Sequence, residues 1–458
     1  MKSIIVFLND IVWGVPALCL ILGVGIYLSV RLGFAQLTLF PEALRHFVRQ
    51  FFPGRNHDRS SSFRALCTAL GATVGTGNIV GVAGAVSLGG PGAVFWIWVC
   101  GLFGMIIKFA EAVLAVRCRI KTAEGYAGGP MYIITRNLPR RFHWLAFVYA
   151  IFGVAASFGV GNAAQINAAI SGIHEACSVL NCSPGRIFDL LLTGLFALVI
   201  GIFLFGGAKR IYSAAEQLVP FAAAAYLLLC AWVLWLKWRE LPSVFFRIFQ
   251  GAFSPKAVTG GIIGSAFQTL RIGSSRGVFT NEAGMGTASI AHADAEGVHP
   301  VQQGLMGIME VFLDTIVICT LTALTLLTSV QSGLPIEWGK EAGSEMISAS
   351  FSMVFGNQVG SLIIATGITL FALSTILSWA LYGTRACEFL LGHKCVVAYQ
   401  VVFVALIVIG ATLDLDLVWT LAEALNGFMA IPNLIALLGL SGVVIKLTKE
   451  YFSQPVLK

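Results

Sequence analysis

Charged residues are scarce in this sequence. Of its 458 residues, 11% are Asp, Glu, Lys or Arg and 57% are hydrophobic, with a mean hydropathy of +0.85. A soluble protein carries about 25% charged residues, so the composition excludes a soluble globular chain. We expect residues 1–458 to form one domain that crosses the lipid bilayer many times.

Several kinds of functional motif are missing as well. The ten cysteines form no CxxC pair and no Cys/His cluster, which argues against a metal centre or a redox site. We also expect no organic cofactor. No basic run with interleaved aromatics indicates binding to nucleic acid. The sequence contains no HExxH motif and no nucleophile with an evident base, so neither signal of an enzyme is found. Cys177 and Cys182 fall in one predicted outward loop, where a disulfide and two free thiols are both open alternatives.

Long apolar stretches are abundant. A helix needs about 20 apolar residues to cross the hydrocarbon core, and about eleven stretches meet that requirement. They fall at 11–31, 64–88, 92–117, 143–174, 187–206, 211–235, 257–291, 303–328, 355–385, 396–412 and 416–446. We therefore predict an all-α polytopic membrane protein with about eleven transmembrane helices.

The basic residues predict the orientation of these spans. Most of the 29 Lys and Arg residues fall in segments that are cytoplasmic if the N-terminus lies outside. An odd number of spans then places the C-terminus in the cytoplasm.

The segment 71–79 reads GATVGTGNI and lies where the middle of the second span is expected. Its glycines oppose a continuous helix, since each costs about 1 kcal/mol relative to alanine. Unpaired backbone at that depth survives only where it is buried in protein or lines a watery cavity. A broken helix offers carbonyl oxygens to a cation and amide groups to an anion. The segment therefore predicts a binding site for a small charged or zwitterionic solute.

A second interrupted span is predicted at 257–291. It contains GG at 260–261, GSSRG at 273–277 and NEAGMG at 281–286, and it lies five spans after the first broken one. Two interrupted spans at matching places in two halves point to an inverted repeat. We predict an extra first helix with a cytoplasmic interfacial segment in 1–63, a first repeat in 64–236 and a second repeat in 256–447.

Four charged residues need a reason to lie within spans, where charges are costly and usually face the bundle interior. Lys108 and Glu111 are spaced to form a pair on one helix. Glu310 and Asp314 share a helix face, where a network with a basic side chain of the second interrupted span and coupling to a cation are both open.

Uncharged polar residues also fall within the spans. Gln165 can meet the charged groups of an amino acid, or it can join two helices. Ser374 and Thr375 can complete a sodium shell with carbonyls of the broken helix, or they can bond back to their own helix. Trp379, one turn further on the same face, can cap a small pocket or belong to the core.

Six segments together resemble the alanine or glycine:cation symporter family. They occur in the family's order at 69–79, 88–96, 108–112, 128–132, 276–286 and 374–379. The resemblance implies the leucine-transporter fold, with a repeat of five plus five helices preceded by one helix. It also implies sodium-coupled uptake of small neutral amino acids, alanine and also glycine, by alternating access across the plasma membrane of a prokaryote. We expect the protein to function as a monomer.

The resemblance further implies a sodium site where the first broken helix meets the ninth span. By carry-over, the carbonyls of Gly71 and Val74 and the hydroxyls of Ser374 and Thr375 would hold the ion. Oxygen ligands suit sodium, and the sequence offers no cluster of soft ligands for a transition metal.

The amino acid would bind beside this sodium site. The resemblance implies that Thr76 and Gly77 meet its carboxylate or ammonium group, with Gln165 as a polar partner. Trp379 and an aromatic residue of the second interrupted span, Phe267, would limit the size of the side chain.

A proton-coupled amino-acid transporter is the alternative function, with Glu310 or Asp314 as the proton carrier. A channel is disfavoured, because channels commonly form their filters from rings of like residues, whereas this chain has an internal repeat.

Overall fold

The computed structural model describes residues 15–51, 61–122, 125–254, 265–410 and 415–453, together with positions 256 and 259. Helices dominate these residues. In chain order they are α1 (Val15–Arg31), α2 (Ala35–Thr38), α3 (Phe40–Phe51), α4 (Ser61–Thr73), α5 (Val80–Gly89), α6 (Gly92–Cys118), α7 (Pro130–Asn137), α8 (Trp144–Phe158), α9 (Ala164–Val179), α10 (Arg186–Leu204), α11 (Ala208–Leu236), α12 (Leu241–Phe253), α13 (Ala266–Asn281), α14 (Ala288–His292), α15 (Pro300–Val311), α16 (Thr320–Gln331), α17 (Ser344–Phe355), α18 (Asn357–Leu391), α19 (Val396–Gly410) and α20 (Leu415–Ser453). A small antiparallel hairpin follows α6, with strands β1 (Ile120–Thr122) and β2 (Gly125–Ala127).

The number of spans is only partly visible. Within the described ranges, eight helices are long and apolar enough to cross a membrane, and the bent pair of α4 and α5 makes a ninth. The predicted spans 11–31 and 257–291 lie partly outside those ranges, and α1 and α13 are the pieces that are seen. The helical, many-span architecture is confirmed, whereas the count of eleven and the repeat boundaries stay predictions.

Two groups of helices surround the first broken span. In one group α6 packs against α13 and α15, and in the other α18 packs against α8, α9 and α17. α4 lies against α11 and α18, while α5 lies against α13 and α6. The break between α4 and α5 is therefore enclosed by protein, as unpaired backbone at this depth requires.

The second predicted interruption is only partly within the described residues, since the GG at 260–261 lies outside them. The string at 273–277 lies inside the continuous helix α13 and faces α6. A side chain at Gly273 would overlap the carbonyl of Ala93, and one at Gly277 would lie 3.0 Å from the Cβ of Cys100. These glycines allow two helices to approach closely. The helix instead ends at Asn281, and the chain turns through Glu282, Gly284 and Gly286, which all have positive φ.

The turn after α9 decides between the two cysteine alternatives. Cys177 and Cys182 are both free thiols. The amide of Cys182 donates to the carbonyl of Cys177 at 2.8 Å, so a backbone hydrogen bond closes the turn.

Gly92 is expected to be a stability hot spot, because a Cβ there would overlap the backbone of Gly251 and Ala252 in α12. Backbone cannot rotate away as a side chain can, so we predict that Gly92→Ala lowers the free energy of unfolding by about 1–3 kcal/mol. Thermal unfolding of the purified protein in detergent measures the change. Gly194→Ala is the matched control, because a Cβ at Gly194 meets open space. Equal unfolding midpoints for the two variants would contradict this packing argument.

Candidate substrate and cation site

The first break begins where α4 ends at Thr73 and bends the chain by 59° before α5. Between the two helices, Thr76–Asn78 forms one 3-10 turn whose side chains are buried. The side chain of Asn78 folds back on this turn, and its Oδ1 accepts a hydrogen bond from the amide of Gly75 at 3.0 Å. Its Nδ2 donates to Asp314 Oδ1 at 2.7 Å. Asp314 lies in the π-helical segment Phe312–Cys319, which continues α15, so this segment stabilises the break.

On the other side the break touches α18. The Thr375 hydroxyl lies 3.0 Å from the carbonyl oxygen of Gly71 and donates a hydrogen bond to it. A Cβ at Gly75 would lie 2.6 Å from the Thr375 oxygen, and a Cβ at Gly71 would lie 2.6 Å from the Ser378 oxygen. Both glycines are therefore required for this close approach. The result is a buried meeting point of hydroxyl and carbonyl oxygens, which is the chemistry that binds sodium.

Ser374 and Val74 take different places around this point. The Ser374 hydroxyl donates to the carbonyl of Phe371 in its own helix at 2.8 Å, so it is bonded back to α18. Val74 is buried, and its amide donates to the carbonyl of Leu70 at 2.7 Å, which prolongs the last turn of α4. Of the predicted sodium residues, Gly71 and Thr375 are in direct contact.

The side-chain amide of Gln165 also contacts the break close to Thr375, since a Cβ at Gly75 would lie 3.4 Å from Gln165 Oε1. Its Oε1 accepts from the Thr76 hydroxyl at 2.9 Å and from the Thr76 amide at 3.4 Å. Its Nε2 donates to the carbonyl of Val160 at 3.1 Å. Val160 lies in the π-helical segment Gly159–Ala163, which joins α8 to α9. Gln165, predicted as a polar partner of the substrate, therefore contacts the break directly, and a small polar ligand would compete for the same atoms.

The aromatic residue beside the break is Phe279 and not Phe267. A Cβ at Gly77 would lie 3.5 Å from the Phe279 ring and 3.4 Å from Thr280. Phe267 lies in the first turn of α13 and is 58% exposed, so the structure does not bring it to the site. The sequence contained evidence for Phe279, because this residue falls in segment 276–286, one of the six that resemble the family. In the structure it lies three residues before Glu282, which has a positive φ.

Trp379 is fully buried between the turn that follows α13 and the π-helical segment before α9. Its indole Nε1 donates to Glu282 Oε1 at 2.9 Å. A Cβ at Gly161 would overlap the Trp379 side chain, so the ring sits directly against that helix. A hydrogen bond and packing therefore fix the ring, which suits a rigid wall of a binding pocket.

A second set of polar contacts fixes the turn after α13. Glu111 Oε1 accepts hydrogen bonds from the amides of Gly284 and Gly286, each at 3.1 Å, and from Asn433 Nδ2 at 2.7 Å. A carboxylate on alternate amides of a left-handed turn satisfies donors that the interrupted helix leaves free. Glu111 therefore stabilises the second interruption.

The predicted pairing of Lys108 with Glu111 is wrong. Lys108 Nζ lies 2.8 Å from Glu310 Oε1, and His292 Nε2 lies 2.9 Å from Glu310 Oε2, with all three side chains fully buried. Helical spacing places Lys108 and Glu111 on one face, but Glu111 is already used by the turn. Lys108 therefore pairs across to α15.

Arg276, one of the two arginines in the second interrupted span, does not pair with Glu310 or Asp314. Arg276 forms ion pairs with Glu341 at 2.7 Å and with Glu423 at 2.8 Å. This leaves the Asp314 carboxylate bonded to Asn78 and to the Thr315 hydroxyl, both uncharged groups.

Comparisons with known proteins agree with this architecture. Residues 1–457 match the sequence profile described as the sodium:alanine symporter family. The chain is 42% identical over 453 residues to the sodium/alanine symporter AgcS of Methanococcus maripaludis, covering 98% of this chain and 97% of that one. It is 40% identical over 456 residues to an uncharacterized transporter of Haemophilus influenzae, covering 99% and 96%.

Among solved structures, the chain resembles MhsT, determined in complex with L-phenylalanine, with a TM-score of 0.58 and 13% identity. The match covers 84% of this chain and 97% of MhsT. At this identity the likeness shows the fold alone, which is the leucine-transporter fold. Because the family profile and the relative AgcS both match nearly the whole length of the chain, it belongs to the sodium:alanine symporter family and is a multi-pass secondary transporter.

Proposed function

We propose that this transporter couples the uptake of small neutral amino acids, alanine and also glycine, to the inward movement of sodium. The observation that carries the proposal is the contact of the Thr375 hydroxyl with the Gly71 carbonyl, between α18 and the break. The Val74 carbonyl and a rotated Ser374 hydroxyl would complete the set of oxygen ligands. A sodium ion bound here would fix the unwound backbone before the amino acid arrives.

The substrate would bind on the Gln165 side of the break. Thr76, Gly77 and Gln165 offer amide and hydroxyl groups within one turn of backbone, which suits the two charged groups of an amino acid. Trp379 and Phe279 would close the space left for the side chain and so favour alanine and glycine over larger residues. Phe279 would thus limit the size of the substrate side chain, which is the role that the family resemblance implied for Phe267.

Coupling would arise because each ligand lowers the cost of ordering the break for the other, and such coupling is reciprocal. Rocking of one group of helices against the other would then expose the site alternately to the two sides of the membrane. We place the protein in the plasma membrane with its N-terminus outside and its C-terminus in the cytoplasm, acting as a monomer.

Uptake of labelled alanine into proteoliposomes tests the proposal. An inward sodium gradient at equal pH on both sides should drive transient accumulation above the external concentration. A proton gradient without sodium should give only equilibration. Accumulation under the proton gradient alone would contradict sodium coupling, and accumulation of neither alanine nor glycine under sodium would contradict the substrate assignment.

Gln165→Leu is expected to raise the alanine concentration for half-maximal uptake about 10- to 100-fold, since hydrogen bonds to charged groups contribute roughly 1.5–3 kcal/mol. Gln217→Leu makes the same chemical change at an exposed position of α11 and serves as the control. An unchanged alanine affinity in Gln165→Leu would remove this residue from the site.

A proton-coupled mechanism is the second candidate, and the environment of Asp314 favours it over Glu310. Glu310 is paired with Lys108 and His292, whereas Asp314 is buried and bonds to uncharged partners at the break. A buried carboxylate with such partners is a site where a proton can be taken up. If a proton gradient alone drove accumulation and Asp314→Asn abolished it, the second candidate would gain the assignment.

A further inference from the structure

An apolar cavity of about 240 Å³ lies beside the first break, and no part of the proposed mechanism uses it. α3, α4, α11 and the segment Phe312–Cys319 enclose it, with Phe47, Leu70 and Ala223 among the lining residues. Every lining residue is apolar. One water needs only about 10–15 Å³, yet a cavity lined by hydrocarbon stays dry and takes apolar guests.

The mouth of the cavity opens on the lipid-facing surface of α11. Ala224 and Phe51 line the cavity and are also exposed. Their neighbours on α11, Phe221 and Leu228, are 66% and 71% exposed. Large apolar side chains exposed on a membrane span face lipid, so the cavity is continuous with the surface that the bilayer covers.

The helix over the cavity has the character of an interfacial helix. Arg45 and Arg49 are exposed on one face of α3, while Phe47 and Phe51 occupy the opposite face and line the cavity. An amphipathic helix of this kind lies along the boundary between headgroups and acyl chains.

We propose that this cavity binds an acyl chain of a membrane phospholipid. The chain enters between α3 and α11 and packs against Leu70 and Val74, at the last turn of α4 before the break. A bound chain would therefore contact the same broken helix whose carbonyls are proposed to hold sodium. The proposal concerns binding alone and does not depend on which ion or amino acid is transported.

Photo-crosslinking in liposomes tests it, with a phospholipid that carries a diazirine in one acyl chain. Leu70 and Val74 are 8% and 1% exposed, so a label on either of these two residues, called α4 labelling below, can arrive only from inside the cavity. We expect mass spectrometry to find this label in the wild-type protein. Ala223→Phe should abolish it by filling the cavity, while Leu228→Phe on the exposed face of the same helix should leave it unchanged.

Ala224→Trp, at the mouth, provides a second way to block entry if Ala223→Phe does not fold. Labels confined to Phe221 and Leu228 in the wild-type protein would overturn the proposal. So would α4 labelling that persists in a folded blocking variant.

Discussion

Thr375→Ala is expected to raise the sodium concentration for half-maximal alanine uptake about 10- to 100-fold, since a hydrogen bond or ligand contact to a charged group contributes roughly 1.5–3 kcal/mol. The substitution removes the hydroxyl that lies 3.0 Å from the Gly71 carbonyl. It would therefore remove one oxygen ligand and leave a buried carbonyl without its hydrogen bond. Uptake into proteoliposomes over a series of sodium concentrations measures the shift.

Two variants separate ion binding from general damage to α18. Thr375→Ser keeps the hydroxyl and should retain most of the sodium affinity. Thr384→Ala removes a hydroxyl that bonds to Ala380 in its own helix at 2.7 Å, and should leave the sodium dependence unchanged. If Thr375→Ala and Thr384→Ala behaved alike, the sodium site would have to lie elsewhere.

Lys108→Met is expected to lower the free energy of unfolding by about 3–5 kcal/mol, because it leaves a buried carboxylate without its partner. Lys108 and Glu310 are both fully buried and lie 2.8 Å apart. His292 would remain beside Glu310 and can offset only part of the loss. Denaturant unfolding in mixed micelles measures the change.

The double variant Lys108→Met with Glu310→Gln should recover part of that stability, since neither charge is then left alone. Lys446→Met removes a lysine from an exposed pair with Glu450 and should have no measurable effect. Additive losses in the double variant would show that the two side chains do not act as a pair.

The sequence predicted the first break because its evidence is local. Glycine density in 71–79 opposes a helix wherever the segment sits, and the structure has its bend there. The last helical residue, Thr73, could not be predicted in this way. That boundary depends on contacts from Thr375 and Asp314, which lie more than two hundred residues away in sequence.

The second interruption shows the limit of the same argument. Glycines at 273 and 277 resemble a helix break in sequence, yet they serve close packing against α6. The actual turn is stabilised by Glu111 from another helix, through the amides of Gly284 and Gly286. Composition alone cannot distinguish a glycine that interrupts a helix from one that lets a neighbour approach.

The predictions of side-chain partners failed for a related reason. Helical spacing states only which residues share a face, so it paired Lys108 with Glu111 and missed Glu310 across the helix interface. In the same way, an aromatic residue in the second interrupted span was expected at the site, but only the packing of α13 decides that Phe279 faces Gly77. Residues within the break itself, such as Thr76, need no such packing argument, because the chain carries them to the break directly.

The central claim is that sodium and the amino acid move together through the first break. The most direct test loads proteoliposomes with equal radioactive sodium inside and outside and then applies an inward alanine gradient. Because coupling is reciprocal, we predict that alanine drives net sodium entry in the wild-type protein and that Thr375→Ala strongly reduces this entry. Alanine entry without any net movement of sodium would contradict the account.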